Sequence, residues 1–296
     1  MPVNEIVGAR EEVTFRSGAV LTATMLEAAI GAQAAFLSLA YAGYGDGILA
    51  GMELADVGGA LFLEPGILHA GGGFFLCHER VDLTAFIEAR DGEWSPRPDN
   101  KLILRPEEVE NVKHITRTVL KLDVLDVASG QDVHNGEMLL LTFNGANIQA
   151  GKSHLTLPRT LKDFSHGNHA DVNVLDTPFA CPGGTTYPPI FFRALQAAIA
   201  GKAVRDTLDQ SMLLLLSAER VLPCGALETY CKEKGIAITG DAKDEREALY
   251  RAVCKAVDVT HAGTASIPQS AAVPSPKTTP LRRRPGSRLA EMAERD

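Results

Sequence analysis

A chain of 296 residues suffices for about two ordinary domains and can bury a sizeable core. Apolar residues make up 45% and charged residues 22%, which excludes a collagen, a disulfide-knotted toxin and a chain disordered along its whole length. Formal charge is −8, but residues 262–296 carry Lys277, Arg282, Arg283, Arg284, Arg288 and Arg295 against Glu291, Glu294 and Asp296, so the body before them stands at −11. An acidic body without a basic stripe is a poor partner for phosphate backbones, so no specific nucleic acid is expected.

In chain order, the opening MPVNEIVGAREE has acidic residues and no apolar run, and is not expected to be a signal peptide. Thr24 and Glu27 form a capping-box pattern. Leu26, Ile30, Gln33, Leu37 and Tyr41 then recur at helical spacing, until Gly43, Gly45 and Gly47 end the run. This helix is apolar on more than one face. Met25, Ala28, Ala34, Ala35, Phe36 and Leu39 lie outside the main stripe, and Glu27 is the only charge between Thr24 and Tyr44. A helix on a surface normally keeps a charged side toward water, so Leu26, Ile30, Phe36, Leu37 and Tyr41 are expected to meet another subunit or the C-terminal helices.

Short apolar runs between Gly-rich turns follow, at 48–55, 60–70 and 74–79, the cadence of a compact antiparallel sheet. Strands are predicted again at 101–105, 116–125 and 137–143, with Leu120, Leu122 and Val124 on one face and Lys121 and Asp123 on the other. Residues 144–189 read as irregular, with one short strand over 172–177. From Pro189 the periodicity turns helical, over 190–200, 204–221, 224–235 and 244–259. Beyond about residue 262 the composition becomes Ser, Thr, Pro, Ala and Arg, which predicts disorder. The expected fold is α+β: an N-terminal helix with a sandwich-like antiparallel region, a helical bundle and a disordered tail. The expected divisions are 1–100, 101–185, 186–261 and 262–296. With no apolar run longer than Met212 to Leu216, a cytoplasmic protein without a membrane span is expected.

Three constellations could carry chemistry. Ala146 to Ser153 follows an apolar strand and ends in Gly151, Lys152 and Ser153, a loose phosphate-loop pattern. Its first glycine, Gly145, is displaced by one position, Pro158 would break the helix that should follow, and the surrounding strands read as hairpins rather than βαβ. A nucleotide-binding protein of the NTPase or helicase type is therefore the alternative, not the leading reading. His154, His166, His169 and Asp171 include an H-x-x-H pair, but no helix is predicted to fix it, and a solvated loop is expected. The five cysteines include no CxxC pair and read as free structural thiols. No cofactor, metal or catalytic residue is expected.

Residues 13–90 resemble a known family. Phe15, Ser17, Gly18, Val20 and Leu21 precede the helix. After it come Tyr44-Gly45-x-Gly47-Ile48, Met52-Glu53-Leu54, Leu61-Phe62-Leu63-Glu64-Pro65-Gly66-Ile67-Leu68, Gly71-Gly72-Gly73-Phe74-Phe75 and Asp82-Leu83. This succession is similar to the start of TssK, the type VI secretion baseplate protein, and to attachment modules of phage baseplate and tail-fibre proteins. The chain departs from the family in being shorter, and in reading Thr22-Ala-Thr24 where a Pro-Gln-His run is usual. The resemblance implies a non-enzymatic connector of a contractile injection machine, self-associated as a trimer and bound to other baseplate or tail subunits.

Overall fold

The computed structural model describes residues 6–13, 35, 37–112, 115–126, 133–134, 136–149, 155–165, 171–240 and 245–258. Most of the helix expected over 24–44, including Leu26, Ile30 and Phe36, and all of the tail beyond 262 lie outside these residues. The fold is α+β, with antiparallel strands first and helices last.

Ten strands build one sheet: β1 (Ile6–Val13), β2 (Gly47–Gly51), β5 (Gly66–Ala70), β6 (Gly73–Cys77), β8 (Asn100–Val112), β9 (Ile115–Leu125), β10 (Met138–Phe143), β11 (Val172–Asn173), β12 (Phe179–Cys181) and β13 (Gly184–Thr186). Their order is β11-β10-β8-β9-β1-β6-β5-β2-β12-β13. Among the described residues only the β2–β12 pairing, through Ile48 and Phe179, is parallel. Three further strands, β3 (Leu54–Val57), β4 (Ala60–Leu63) and β7 (Val81–Asp82), form a small sheet in the order β3-β4-β7. Strands from both sides of residue 100 thus share the large sheet, because β1 reaches across to pair with β9 as well as β6.

The runs at 48–55 and 60–70, each read as one stretch, are each broken in two. At the first break Gly51 and Met52 take φ of +66° and +48°, and Met52 N–H donates to the Pro65 carbonyl at 3.1 Å. At the second, Glu64 N–H donates back to the Glu53 carbonyl at 2.9 Å. Both chains therefore pass from one sheet to the other side by side. A methyl group on Gly51 would sit 2.1 Å from the Pro65 oxygen, so glycine is required there by space as well as by torsion.

Alternation places the core. In β6, Phe75 and Cys77 point inward while Phe74 and Leu76 point outward. In the long β8–β9 hairpin Leu104 pairs with Leu122 and Leu102 with Val124, all buried, whereas Lys121 reaches Glu107 at 2.7 Å on the other face. The sheet alternation read from the sequence is the one observed. A helix not foreseen, α1 (Leu83–Ala89), follows β7; Asp82 caps it by accepting from Ala85 N–H at 2.9 Å, and Phe86 and Ile87 fill the core.

After β10 comes the short helix α2 (Gly145–Gln149), and residues 161–164 form a 3-10 turn. The helical half then runs α3 (Pro189–Ala200), α4 (Thr207–Ala218), α5 (Cys224–Glu233) and α6 (Glu245–Asp258), each packed on its predecessor. Pro189 stands at the first position of α3, where its missing N–H costs nothing. Phe191 then meets Phe164, Tyr187, Phe192 and Tyr250, with ring centroids 4.4 to 6.4 Å apart, and this aromatic group welds α3 and α6 to the turn at 161–164.

Candidate functional site

The outward face of β5 and β6 is the first candidate. Ile67 opposes Leu76 and His69 opposes Phe74 in register, so these four side chains share the face turned away from the core. Ile67 and Leu76 are exposed. At one end the face is partly roofed by Tyr41, whose ring lies 5.8 Å from Phe74 and 5.1 Å from Tyr44. His69 Nδ1 lies 2.9 Å from Asp46 Oδ1, and the other Asp46 oxygen accepts from Gly71 N–H at 3.2 Å, pinning the turn beside the helix end. Residues 37–40 are helical, and there Leu37 is exposed and Leu39 is 78% exposed. Of the five interface residues expected from the sequence, Tyr41 packs on this face, Leu37 stands in solvent beside it, and Leu26, Ile30 and Phe36 lie outside the described residues.

Two ionic centres fix the helices. Glu53, aimed by the left-handed step at Gly51 and Met52, accepts from Arg193 on α3 at 2.8 Å and also meets Arg220. Beneath it is an apolar hollow of about 20 Å³, room for about one water molecule, lined by Met52, Leu63, Leu140, Phe179 and Pro189. Such a hollow holds no substrate; ligand pockets run to about 300 Å³ or more. A broader open depression of about 560 Å³ beside β10 carries Asp99, Glu137 and Asp176. Glu137 there is already bound: burial tends to raise its pKa, but the His134 N–H at 2.9 Å and Arg105 at 2.7 Å outweigh that and lower it.

The second centre joins α4 to the end of α5. Asp206 and Asp209 cap α4 reciprocally, Asp209 N–H donating to Asp206 Oδ1 at 2.9 Å. The Asp209 carboxylate also receives Lys202 and Lys234, both at 2.7 Å, and the Tyr230 hydroxyl at 2.8 Å. Lys234, with its side chain fully buried, bridges on to Asp206 at 2.6 Å. Burial alone would raise the Asp209 pKa; the three donors reverse this and hold it down at about 2. The Asp-Thr-Leu-Asp run ahead of an apolar stretch is a readable cap signature that the sequence reading passed over.

Asp171, grouped in the sequence with the loop histidines, serves the fold. It is buried, accepts from Asn147 of α2 at 2.7 Å and from Thr156 N–H at 3.1 Å, and also meets the Thr156 hydroxyl. His154, His166 and His169 lie outside the described residues, among which no three His, Cys, Asp or Glu side chains gather as metal ligands would. Gly151, Lys152 and Ser153 lie outside them too. Upstream of Lys152, β10 pairs antiparallel on both sides, and helix α2 already occupies residues 145–149, where a phosphate loop would be open. Gly145 itself is packed against the chain, its absent methyl 2.3 Å from the Ser95 carbonyl oxygen. The five cysteines are free, and burial raises every one; Cys77 and Cys231 are pushed up to about 12 and Cys254 to about 11. None is a thiolate at neutral pH.

No protein-family model matches the sequence, and no curated protein does. Among solved structures the chain is similar to a chain of the type VI secretion system TssK-TssF-TssG baseplate subcomplex, determined by cryo-electron microscopy, at 11% identity and a TM-score of 0.32. The match covers 83% of this chain and 97% of that one. This is a distant, baseplate-like resemblance, and at that TM-score it carries no weight for function. No helix among the described residues is long and apolar enough to cross a membrane.

Proposed function

We propose that this chain is a non-enzymatic assembly subunit: a baseplate or tail-fibre-attachment connector of a phage tail or type VI-like contractile injection machine, working in the cytoplasm as a homo-oligomer. The observation that carries this reading is the apolar outer face of β5 and β6 with exposed Leu37 and Leu39 beside it. That surface lies within residues 13–90, the stretch whose succession of motifs is similar to the opening of TssK. Strands β2 to β6 follow one another there, with the β5–β6 turn at Gly71 and Gly72. Trimeric number and baseplate partners are carried by the resemblance alone.

Mass in solution tests the reading. Light scattering at micromolar concentration is expected to return an oligomer, and Leu39→Glu or Leu76→Glu is expected to dissociate it without unfolding the monomer. A native protein that runs as a monomer removes the proposed interface.

A further inference from the structure

Helix α4 presents a second unpartnered face, remote in sequence from the first. Asp209, Met212 and Leu216 point inward; Thr207, Gln210, Ser211, Leu214, Leu215 and Ala218 point outward and are exposed, Leu214 at 72%. Not one of the outward residues is charged, although helices in water normally keep charge on that side. The Ser211 hydroxyl is moreover spent within the helix, donating to the Thr207 carbonyl at 2.8 Å, so the face is more apolar than its composition. Exposed Val204 extends it just ahead of the helix.

We infer that this face of α4 pairs with the same face of a second copy of the chain, antiparallel about a two-fold axis. The charges at its two ends select that occupant. Arg205 stands exposed before the first turn and Glu219 exposed after the last, and neither makes an ion pair among the described residues. In an antiparallel pair centred between Ser211 and Leu214, each Leu214 faces the partner's Ser211, and each Thr207 faces the partner's Ala218. Small residues opposite the leucine let the backbones approach. The same alignment sets Arg205 of one copy one residue off the partner's Glu219 at both ends, and the helix dipoles run antiparallel. Arg220 and Asp206, which stand directly opposite Arg205 and Glu219, are already engaged by Glu53 and Lys234. A parallel arrangement would instead oppose Arg205 to Arg205 and Glu219 to Glu219. The contact is also free of the repulsion that most of a −11 body would impose on a second copy.

The size of the face sets the strength. Twelve residues of helix are about 18 Å long, and one side of that buries well under the ~800 Å² per partner of a stable interface. The pairing is therefore weak for free chains and effective where copies are already held together. It is independent of the proposed β5–β6 interface, and the variants separate the two.

Sedimentation velocity of the full chain over roughly 10 µM to 1 mM is the experiment. Doubling of the basal species with rising concentration is expected, whatever that basal species is. Leu214→Glu should weaken the doubling at least ~10-fold, because it places a charge in a contact that buries it. Arg205→Glu and Glu219→Arg should each weaken it a few-fold, within the range of an exposed ion pair, and the two together should restore it. Absence of concentration-dependent doubling overturns the inference, as does a charge-swapped double variant no better than the singles. A basal oligomer that survives Leu39→Glu, with doubling also retained, would count against the β5–β6 interface only.

Discussion

Replacing Asp209 by Asn should unfold the helical half at a markedly lower temperature, because one carboxylate answers two buried ammonium groups. Asp209 is 1% exposed and receives Lys202, Lys234 and the Tyr230 hydroxyl. Asn keeps the shape and removes the charge that both lysines share, and breaking a buried pair in this way costs about 3–5 kcal/mol. At about 2–4 °C per kcal/mol for a unit of this size, the melting midpoint falls by roughly 6–20 °C. The pH dependence has a definite sign. The folded-state pKa lies at about 2, below the ordinary 3.8, so the stabilisation is complete above the ordinary value and is lost as pH falls from about 4 to about 2. The gap corresponds to roughly 2.5 kcal/mol. Calorimetry of both proteins from pH 7 to pH 2.5 measures this, and their difference in stability should shrink on acidification. Lys234→Met alone should also be costly, while the double variant should cost well under the sum. A variant within about 0.5 kcal/mol of the parent at pH 7 would refute the reasoning, since that is the range of an ordinary surface substitution.

Gly51→Ala should cost about 2–4 kcal/mol by chemical denaturation, combining a left-handed torsion with a clash against Pro65. Gly58→Ala, at φ +63° with open space around it, should cost only about 1–2 kcal/mol; equal losses would mean that the Pro65 contact is immaterial. Glu53→Gln should lose about 0.5–1 kcal/mol, because Arg193 and Arg220 are more than half exposed and water screens their pairs. A thiol-specific reagent at pH 7.5 should titrate the five cysteines only after guanidinium is added, since burial raises all five; a fast-reacting thiol in the native protein would contradict the packing around it.

Period-2 and period-3.6 patterns made most of this fold legible. Leu120, Leu122 and Val124 face one way in β9 as their alternation demands, and the four C-terminal helices fall within a few residues of their apolar repeats. The failures have local causes. Asp82 followed by Phe86 and Ile87 is a cap and a buried helix face, but a helix of 7 residues, about two turns, is too short to show a period. Strands β12 and β13 have three residues each, below the length at which alternation means anything. The breaks at Gly51–Glu53 and Glu64–Gly66 are set by a contact between two strands, which the alternation within either strand alone does not contain.

The same limit governs the functional surfaces. Glu53 meets a guanidinium 140 positions away, and the Asp209 cage draws on Lys202, Tyr230 and Lys234, so neither centre has a local signature beyond the Asp206–Asp209 cap. The α4 face escaped for the opposite reason. MLLLL reads as uniformly apolar, and a uniformly apolar run is naturally assigned to the core. Only packing shows that Met212 and Leu216 are spent inward while Leu214 and Leu215 are left in water. Composition can state that a helix has more apolar surface than one neighbour needs. Which side remains uncovered is decided by where that neighbour lies, and here α3 and α5 both lie against the side that carries Asp209. The surplus on α4 is thus a consequence of the buried charge cage: the cage fixes which side of the helix turns inward, and Leu214 is exposed because Asp209 is not.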